Sequence, residues 1–497
     1  MTKRIILSAC LAAVASVGIM AQATASSGSP RIVVSIAVDQ LRSDYLEAFT
    51  GDYTDGGFNR LLDKGTVYGS ASYPFTPVDR ASATAAIGSG ASPYYNSIVG
   101  QRWLQRETLR PVGCVADDRY PGLQTTETAS PDALCTSTLG DELKMATKGQ
   151  AQVWAVAPFS DAAVLSAGHA ADGALWIDDE KGEWCSSHYY MQTLPQWVST
   201  ANKIVLPSKK TKGKDAHRYR DYKNSAAVNT NITDMALQCL TATAMGTDDI
   251  TDLLCLTYFA GREAAGSQEE ETYLMRNTYV RLDAEIARLV ETVERRFGAG
   301  NVLFVLTSTG YIEEKDEANY QTYRIPSGTF YMSRTADLLN MYLGAIWGQG
   351  KYVETTFRNH IFMDHSLLDK KKISISNATS RAQELLVMMS GVRNVYTSLQ
   401  LLTISNEQIQ LVRQGYNPER CGDLVIETAP GWCILTENTG ESEYLRPSFF
   451  QFPIIFYGAG VTAQRMPQHV TIDRIAPTLA RKMRIRTPNA CSAEPLF

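Results

Sequence analysis

Apolar runs of buried-strand type alternate along this chain with segments of helical period. Ile32-Val33-Val34-Ser35-Ile36-Ala37-Val38 is nearly continuous in apolar, mostly β-branched residues. That pattern belongs to a strand covered on both faces. Phe58 to Leu62 predicts a short helix that closes near Gly65, and the small apolar stretch Ala81 to Ile87 predicts a tightly packed one. Val153 to Val156, Leu175 to Ile177 and Leu253 to Tyr258 read as further strands. Leu282, Ile286, Leu289, Val290 and Val293 then recur at helical spacing. Gly298 and Gly300 stop that helix, and a strand from Val302 to Leu306 begins at once. The last units are a strand, Ile454 to Tyr457, and a helix, Asp473 to Lys482. Strands alternating with helices predict an α/β fold with a largely parallel sheet flanked by helices. Between Tyr311 and Trp432 the rhythm is irregular, which predicts an inserted cap.

The amino terminus reads as an address. Lys3 and Arg4 precede an apolar run from Ile5 to Met20, followed by Ala21-Gln22-Ala23 and Ala23-Thr24-Ala25. This is the pattern of a cleaved secretory signal over residues 1–25. The rival reading, a membrane anchor, needs about 20 apolar residues. No later stretch is long and apolar enough to span a bilayer, so the mature chain is expected to be exported, periplasmic or secreted. Composition narrows the class further. With 497 residues, 44% hydrophobic and 20% charged, the chain can build a large core, which excludes disorder and coiled coil. A net charge of −5 offers no footprint for nucleic acid. The basic run Lys209-Lys210-Thr211-Lys212-Gly213-Lys214 reads as a solvated loop.

Beyond Cys10 there are eight cysteines, an even number that suggests disulfides in an exported chain. Zinc ligation is the alternative, but no C-x-x-C pair occurs. Cys114 with Cys135, and Cys421 with Cys433, bracket loops rich in turn-forming residues and are the favoured pairs.

Val38-Asp39-Gln40-Leu41-Arg42-Ser43-Asp44-Tyr45-Leu46 resembles the opening strand and turn of the alkaline phosphatase superfamily. The branch it resembles most is the exported phosphate-irrepressible alkaline phosphatases, close to the type I phosphodiesterase/nucleotide pyrophosphatases. The resemblance continues in order through Ser89-Gly90-Ala91-Ser92-Pro93, Ala167-Gly168-His169-Ala170-Ala171 and Trp176-Ile177-Asp178. It ends with Gly391 to Thr397, Pro453 to Gly458, Ile475 to Leu479 and Pro488-Asn489-Ala490. It implies one alkaline-phosphatase-like domain over 26–497, with a core of about 31–310 and 452–497 and a cap of about 311–451. It also implies chemistry by two zinc ions, held by three Asp and three His, with a bridging Thr or Ser that attacks phosphorus.

Of the seven metal and nucleophile positions, Asp39 alone matches the family. Arg80 falls where the nucleophile belongs. Tyr258 and Arg262 take the Asp and His of one ligand pair, Thr309 and Gly310 those of another, and Gln451 replaces the last histidine. The phosphate-binding Lys-x-Arg falls on Phe159-Ser160-Asp161, and the family asparagine falls on Gln101. Six histidines in the whole chain cannot refill these places.

Asp39 then has two readings, a relic ligand for a lone cation or a carboxylate paired with a neighbouring cation. Arg80 and Arg262 favour the second, because a guanidinium holds a carboxylate bidentately. The sequence therefore predicts a structural ion pair of Asp39 with Arg80 and Arg262, no catalytic residues and no cofactor. It predicts a non-catalytic member acting as a binding or assembly module for a protein or an anionic ligand. The alternative is a phosphoric-ester hydrolase with altered chemistry, for which Asp79, Thr84, Thr309 and Tyr258 are thin candidates. Asp39, Arg80, Tyr258, Arg262, Thr309 and Gln451 are expected around one cleft at the carboxyl ends of the strands.

Overall fold

The computed structural model describes residues 28–201, 218–262, 268–311, 324–403, 406–437, 441–443 and 450–497. The expected signal segment 1–25 and the basic run at 209–214 lie outside the described residues. Among the described residues no helix is long and apolar enough to cross a membrane.

Seven strands carry the main sheet: β1 (Ile32–Asp39), β2 (Thr66–Ser72), β3 (Val153–Val156), β4 (Gly173–Ile177), β5 (Asp252–Phe259), β6 (Val302–Ser308) and β7 (Phe452–Gly458). Their spatial order is β2-β7-β6-β1-β5-β3-β4, extended at both edges by short strands. β1 is central, parallel to both β5 and β6, with Val38 opposite Tyr258 on one side and Ser308 on the other. Covered on both faces and flanked on both edges, β1 has the near-continuous apolar sequence that this position requires. The parallel expectation holds from β6 to β4. It fails at β7, which runs antiparallel to both β6 and β2. A closing strand needs no crossover when it returns in the opposite direction.

Helices cover both faces. On one face lie α1 (Arg80–Ser89), α2 (Ser160–Ala167) and, near the carboxyl terminus, the helix Ile475–Met483. On the other lies the long helix Gln268–Phe297, whose Leu282, Ile286, Leu289, Val290 and Val293 are all fully buried. The expected apolar stripe of that helix is thus its core face.

Residues of the irregular stretch build a separate layer. A four-stranded antiparallel arrangement spans Val353 to Thr428, and the helix Met332–Trp347 packs with it around Leu339, Leu343, Val353, Ile361 and Ile426. Tyr396, Leu401, Tyr416 and Cys421 belong instead to the main core, so the layer is seated on the sheet domain through apolar contacts.

The expected disulfides are not formed. All eight cysteines from Cys114 to Cys491 are free thiols. The members of each expected pair occupy different surroundings. Cys114 is buried in the main core whereas Cys135 is exposed. Cys421 is buried and accepts the Asn417 N–H at 3.4 Å, while Cys433 Sγ lies 3.5 Å from Thr329 Oγ1 on the neighbouring strand. Burial pushes the Cys421 thiol up to about 12 and raises that of Cys114 well above its ordinary value, so both stay protonated and inert. A large apolar core removes the need for staples that small exported domains have.

Candidate functional site

β1 ends on Asp39, and the neighbouring carboxyl ends of β5 and β6 make the floor of a cleft around it. Asp39 is 1% exposed. The residues facing it come from the first turns of α1 and α2. These helices are rich in alanine at their contact, Ala81, Ala83 and Ala85 on one and Ala162 and Ala163 on the other, all fully buried. Small side chains let two helices pack closely, which brings their amino-terminal residues Arg80 and Asp161 side by side.

Asp79 sets where α1 begins. Its carboxylate accepts the Ser82 N–H at 3.0 Å, and Ser82 Oγ in turn accepts the Asp79 N–H at 3.0 Å, a reciprocal capping box. The other Asp79 oxygen accepts the Gln101 N–H at 2.7 Å. Arg358, from the turn between the strands Val353–Phe357 and His360–Met363, approaches the same oxygen at 3.9 Å. Asp79→Ala should therefore cost about 1–2 kcal/mol, the usual size of a lost cap, measured by denaturant unfolding. An unchanged midpoint would remove Asp79 from this account.

Arg80 is 8% exposed and completely engaged. Its Nε donates to both Asp161 oxygens, at 3.0 and 3.2 Å, and Nη2 donates to Oδ2 at 3.0 Å. Nη1 lies 3.8 Å from Asp39 Oδ2. The guanidinium stacks 3.7 Å above the Phe159 ring. Gln101 Nε2 donates to Asp161 Oδ2 at 3.1 Å, and the Ala162 N–H donates to Oδ1 at 2.8 Å. Burial works against the charge on Arg80, but Asp161, Tyr311 and Asp39 hold it firmly protonated. Asp39 is raised to about 7 by burial, helped by Asp161 and opposed by Arg80. Among the described residues its Oδ1 has no partner at hydrogen-bond geometry, and the buried Thr309 hydroxyl lies near enough to favour its charged form weakly. The Tyr311 hydroxyl donates to Asp39 Oδ2 at 3.4 Å.

The expected cleft is thus assembled in part. Asp39, Arg80, Phe159, Asp161, Gln101 and Thr309 converge. Gly310 stands behind them at φ +67°, against the Tyr73 ring, where a side chain would clash. Tyr258 does not converge. Its ring is buried in the apolar layer under the opposite face, and its hydroxyl meets Thr233 Oγ1 at 3.0 Å. Gln451 is exposed outside the cleft, its carbonyl accepting the Ser43 N–H at 2.9 Å. The expected Asp39–Arg262 pair is corrected as well: among the described residues, Arg80 is the cation facing Asp39. Arg262 follows Gly261, which abuts the Gln40 side chain. The principal partner of Arg80 is Asp161, at the position where the family places its phosphate clamp.

One contributor escaped the sequence reading. Lys223 is 1% exposed, donates to the Ile177 carbonyl at 2.8 Å, and its Nζ lies 4.4 Å from the centre of the Phe159 ring. Phe159 therefore meets two cations, Arg80 and Lys223, each a favourable cation–π contact. Nothing in the composition around Lys223 signals a buried lysine. Among the described residues, no three His, Cys, Asp or Glu side chains converge to hold a metal ion. A two-zinc centre does not fit the described side chains of this cleft. Asp39 is the one carboxylate left at a family ligand position, and an arginine faces it.

Residues 33–448 match the family described as type I phosphodiesterase / nucleotide pyrophosphatase. Alkaline phosphatase PhoV of Synechococcus elongatus is 27% identical over 93% of this chain and 91% of its own. Alkaline phosphatase PafA of Elizabethkingia meningoseptica is 25% identical over 96% and 95%. The crystal structure of wild-type PafA superposes with a TM-score of 0.81 at 24% identity, covering 94% of this chain and 98% of that one. The α/β architecture expected from the sequence is therefore that of an alkaline phosphatase. The expectation of no cofactor is overturned by the same matches. They are full-length matches to a family whose chemistry, by the resemblance above, uses two zinc ions. Zinc therefore belongs in any test of this chain, although its described cleft residues do not form the ligand set.

Proposed function

Because this chain belongs to the type I phosphodiesterase/nucleotide pyrophosphatase family of the alkaline phosphatase superfamily, we propose that it is an exported member that binds rather than hydrolyses. In this reading it serves as a recognition or assembly module, with residues 311–451 as the cap over the cleft. The observation that carries this reading is Arg80. A guanidinium stands where the nucleophilic hydroxyl belongs, clamped by Asp161 and facing Asp39. It has no lone pair to offer phosphorus. Nor is it a vacant anion site, since its charge is already balanced by the Asp161 carboxylate, with Asp39 beside it. The cleft's charges are spent on one another, which supports a structural role for them and recognition by other surfaces.

A second reading is phosphoric-ester hydrolysis with altered chemistry, and the comparisons weigh on its side. Two relatives that align over more than nine-tenths of the chain are named alkaline phosphatases. Asp39 adds a specific observation: a carboxyl that titrates near 7 suits a general acid or base at neutral pH. One experiment separates the two readings. The mature protein is assayed on an aryl phosphate and an aryl phosphodiester, with and without added zinc, beside Asp39→Asn. The binding reading expects no turnover above the buffer blank in any condition. Turnover that is abolished by Asp39→Asn would overturn it in favour of the hydrolase.

A further inference from the structure

Ser70 and Ser72 are alternate residues of β2, so their side chains share one face. A two-residue strand, Val470–Thr471, runs parallel to β2 with Val470 opposite Ala71. That register brings His469 between the two serines. His469 Nδ1 lies 2.9 Å from Ser70 Oγ, and Nε2 lies 2.8 Å from Ser72 Oγ. A neutral imidazole has one donor and one acceptor nitrogen. With Nδ1–H donated to Ser70, Nε2 accepts the Ser72 hydroxyl proton. This is the arrangement of a nucleophile, a base and a third group that orients the base.

Ser72, and not Ser70, also borders a cavity of about 320 Å³. Tyr73, Pro74 and Leu411 supply apolar wall. Ser92 donates to the Gln414 Oε1 in the same cavity, which Asp473 also lines. The cavity holds none of the residues gathered around Arg80.

We propose that Ser72 and His469 form an acyl-transfer site for carboxylic esters with small acyl groups, distinct from the Asp39–Arg80 cleft. Ser72 Oγ attacks the ester carbonyl carbon, and its proton passes to His469 Nε2. The carbon–oxygen bond to the alcohol breaks, and the alcohol leaves with that proton. Water, deprotonated by the same nitrogen, then cleaves the acyl-serine, so that ester and water give acid and alcohol. Ser70 is a positioning residue that holds the imidazole in the required tautomer.

The test uses the full mature chain, a fluorophosphonate probe and p-nitrophenyl acetate. In the probe reaction Ser72 Oγ bonds to phosphorus, fluoride leaves, and His469 takes the proton. The expected result is one adduct per chain, located by peptide mass spectrometry on Ser72, with matching release of p-nitrophenol. Ser72→Ala should abolish both, and His469→Gln should slow both by about 100-fold, the lower range for a lost general base. Ser70→Ala should slow labelling less, and Ser70→Thr should restore it. Because His469 is exposed, His469→Gln stays folded, and its melting curve verifies this should Ser72→Ala misfold. No adduct on the wild type, an adduct on another residue, or labelling unaffected by His469→Gln would each overturn the assignment.

Discussion

Arg80→Ala should lower the unfolding free energy by about 3 kcal/mol or more, in the range measured when one partner of a buried ion pair is removed. The guanidinium is 8% exposed and holds three hydrogen bonds to Asp161. Without it, among the described residues Asp161 keeps only the Gln101 amide and the Ala162 N–H. Asp39 contributes less to the loss, because its carboxyl already titrates near 7 and can become neutral. The remedy follows from the same reasoning. Adding Asp161→Asn to Arg80→Ala should recover part of the loss, since no uncompensated charge is then left. Urea unfolding of both single variants and the double variant gives the coupling. Losses that simply add would mean that Arg80 and Asp161 do not depend on one another.

Acidification should destabilise the protein through His360, which begins the second strand of the hairpin formed by Val353–Phe357 and His360–Met363. Among the described residues its enclosed Nδ1 has no hydrogen-bond partner. Burial, with a smaller push from Arg358, lowers its pKa from 6.5 to about 3. The unfolded chain therefore binds a proton below pH 6.5 that the folded ring refuses until about pH 3. Stability rises with pH wherever the unfolded state holds more protons, so this contribution is intact above pH 6.5 and shrinks as pH falls. Each unit of pH below 6.5 costs up to about 1.4 kcal/mol. By about pH 5 the loss should reach roughly 1–2 kcal/mol, allowing for the ring's partial exposure. His360→Gln removes the titration. The gap in unfolding free energy between wild type and His360→Gln should shift toward the variant as pH drops from 7.5 to 5. Parallel pH profiles would show that the ring is solvated.

Much of this architecture is local and so was legible in the chain. β1, β5 and β6 are apolar throughout because each is covered on both faces. The long helix announced its buried stripe by spacing, and Gly298 marked its end at φ +83°. Asp39, at the end of β1, and Arg80, at the start of a small-residue helix, could be placed at a common site because strand ends and helix starts define the cleft.

What the tertiary structure decided was the partner of each group. Asp161 lies 81 residues from Arg80 along the chain, and only the close packing of two alanine-rich helices makes it the main counterion in place of Arg262. Tyr258 sits beside Val38 in the strand register, but the direction of its ring depends on Thr233, on a helix packed under the opposite face. Beyond Cys10 the cysteines are even in number, yet whether two sulfurs meet depends on folds of chain that parity does not see, and all eight remain thiols. Lys223 looks solvated by its type, and it is buried because the Asp179 carboxylate, the Ile177 carbonyl and the Phe159 ring, all distant in sequence, receive it. Period and composition determine which residues are covered. Pairing between distant charges is determined by how the covered surfaces pack, because a charge interacts with whatever packing brings within a few ångströms of it.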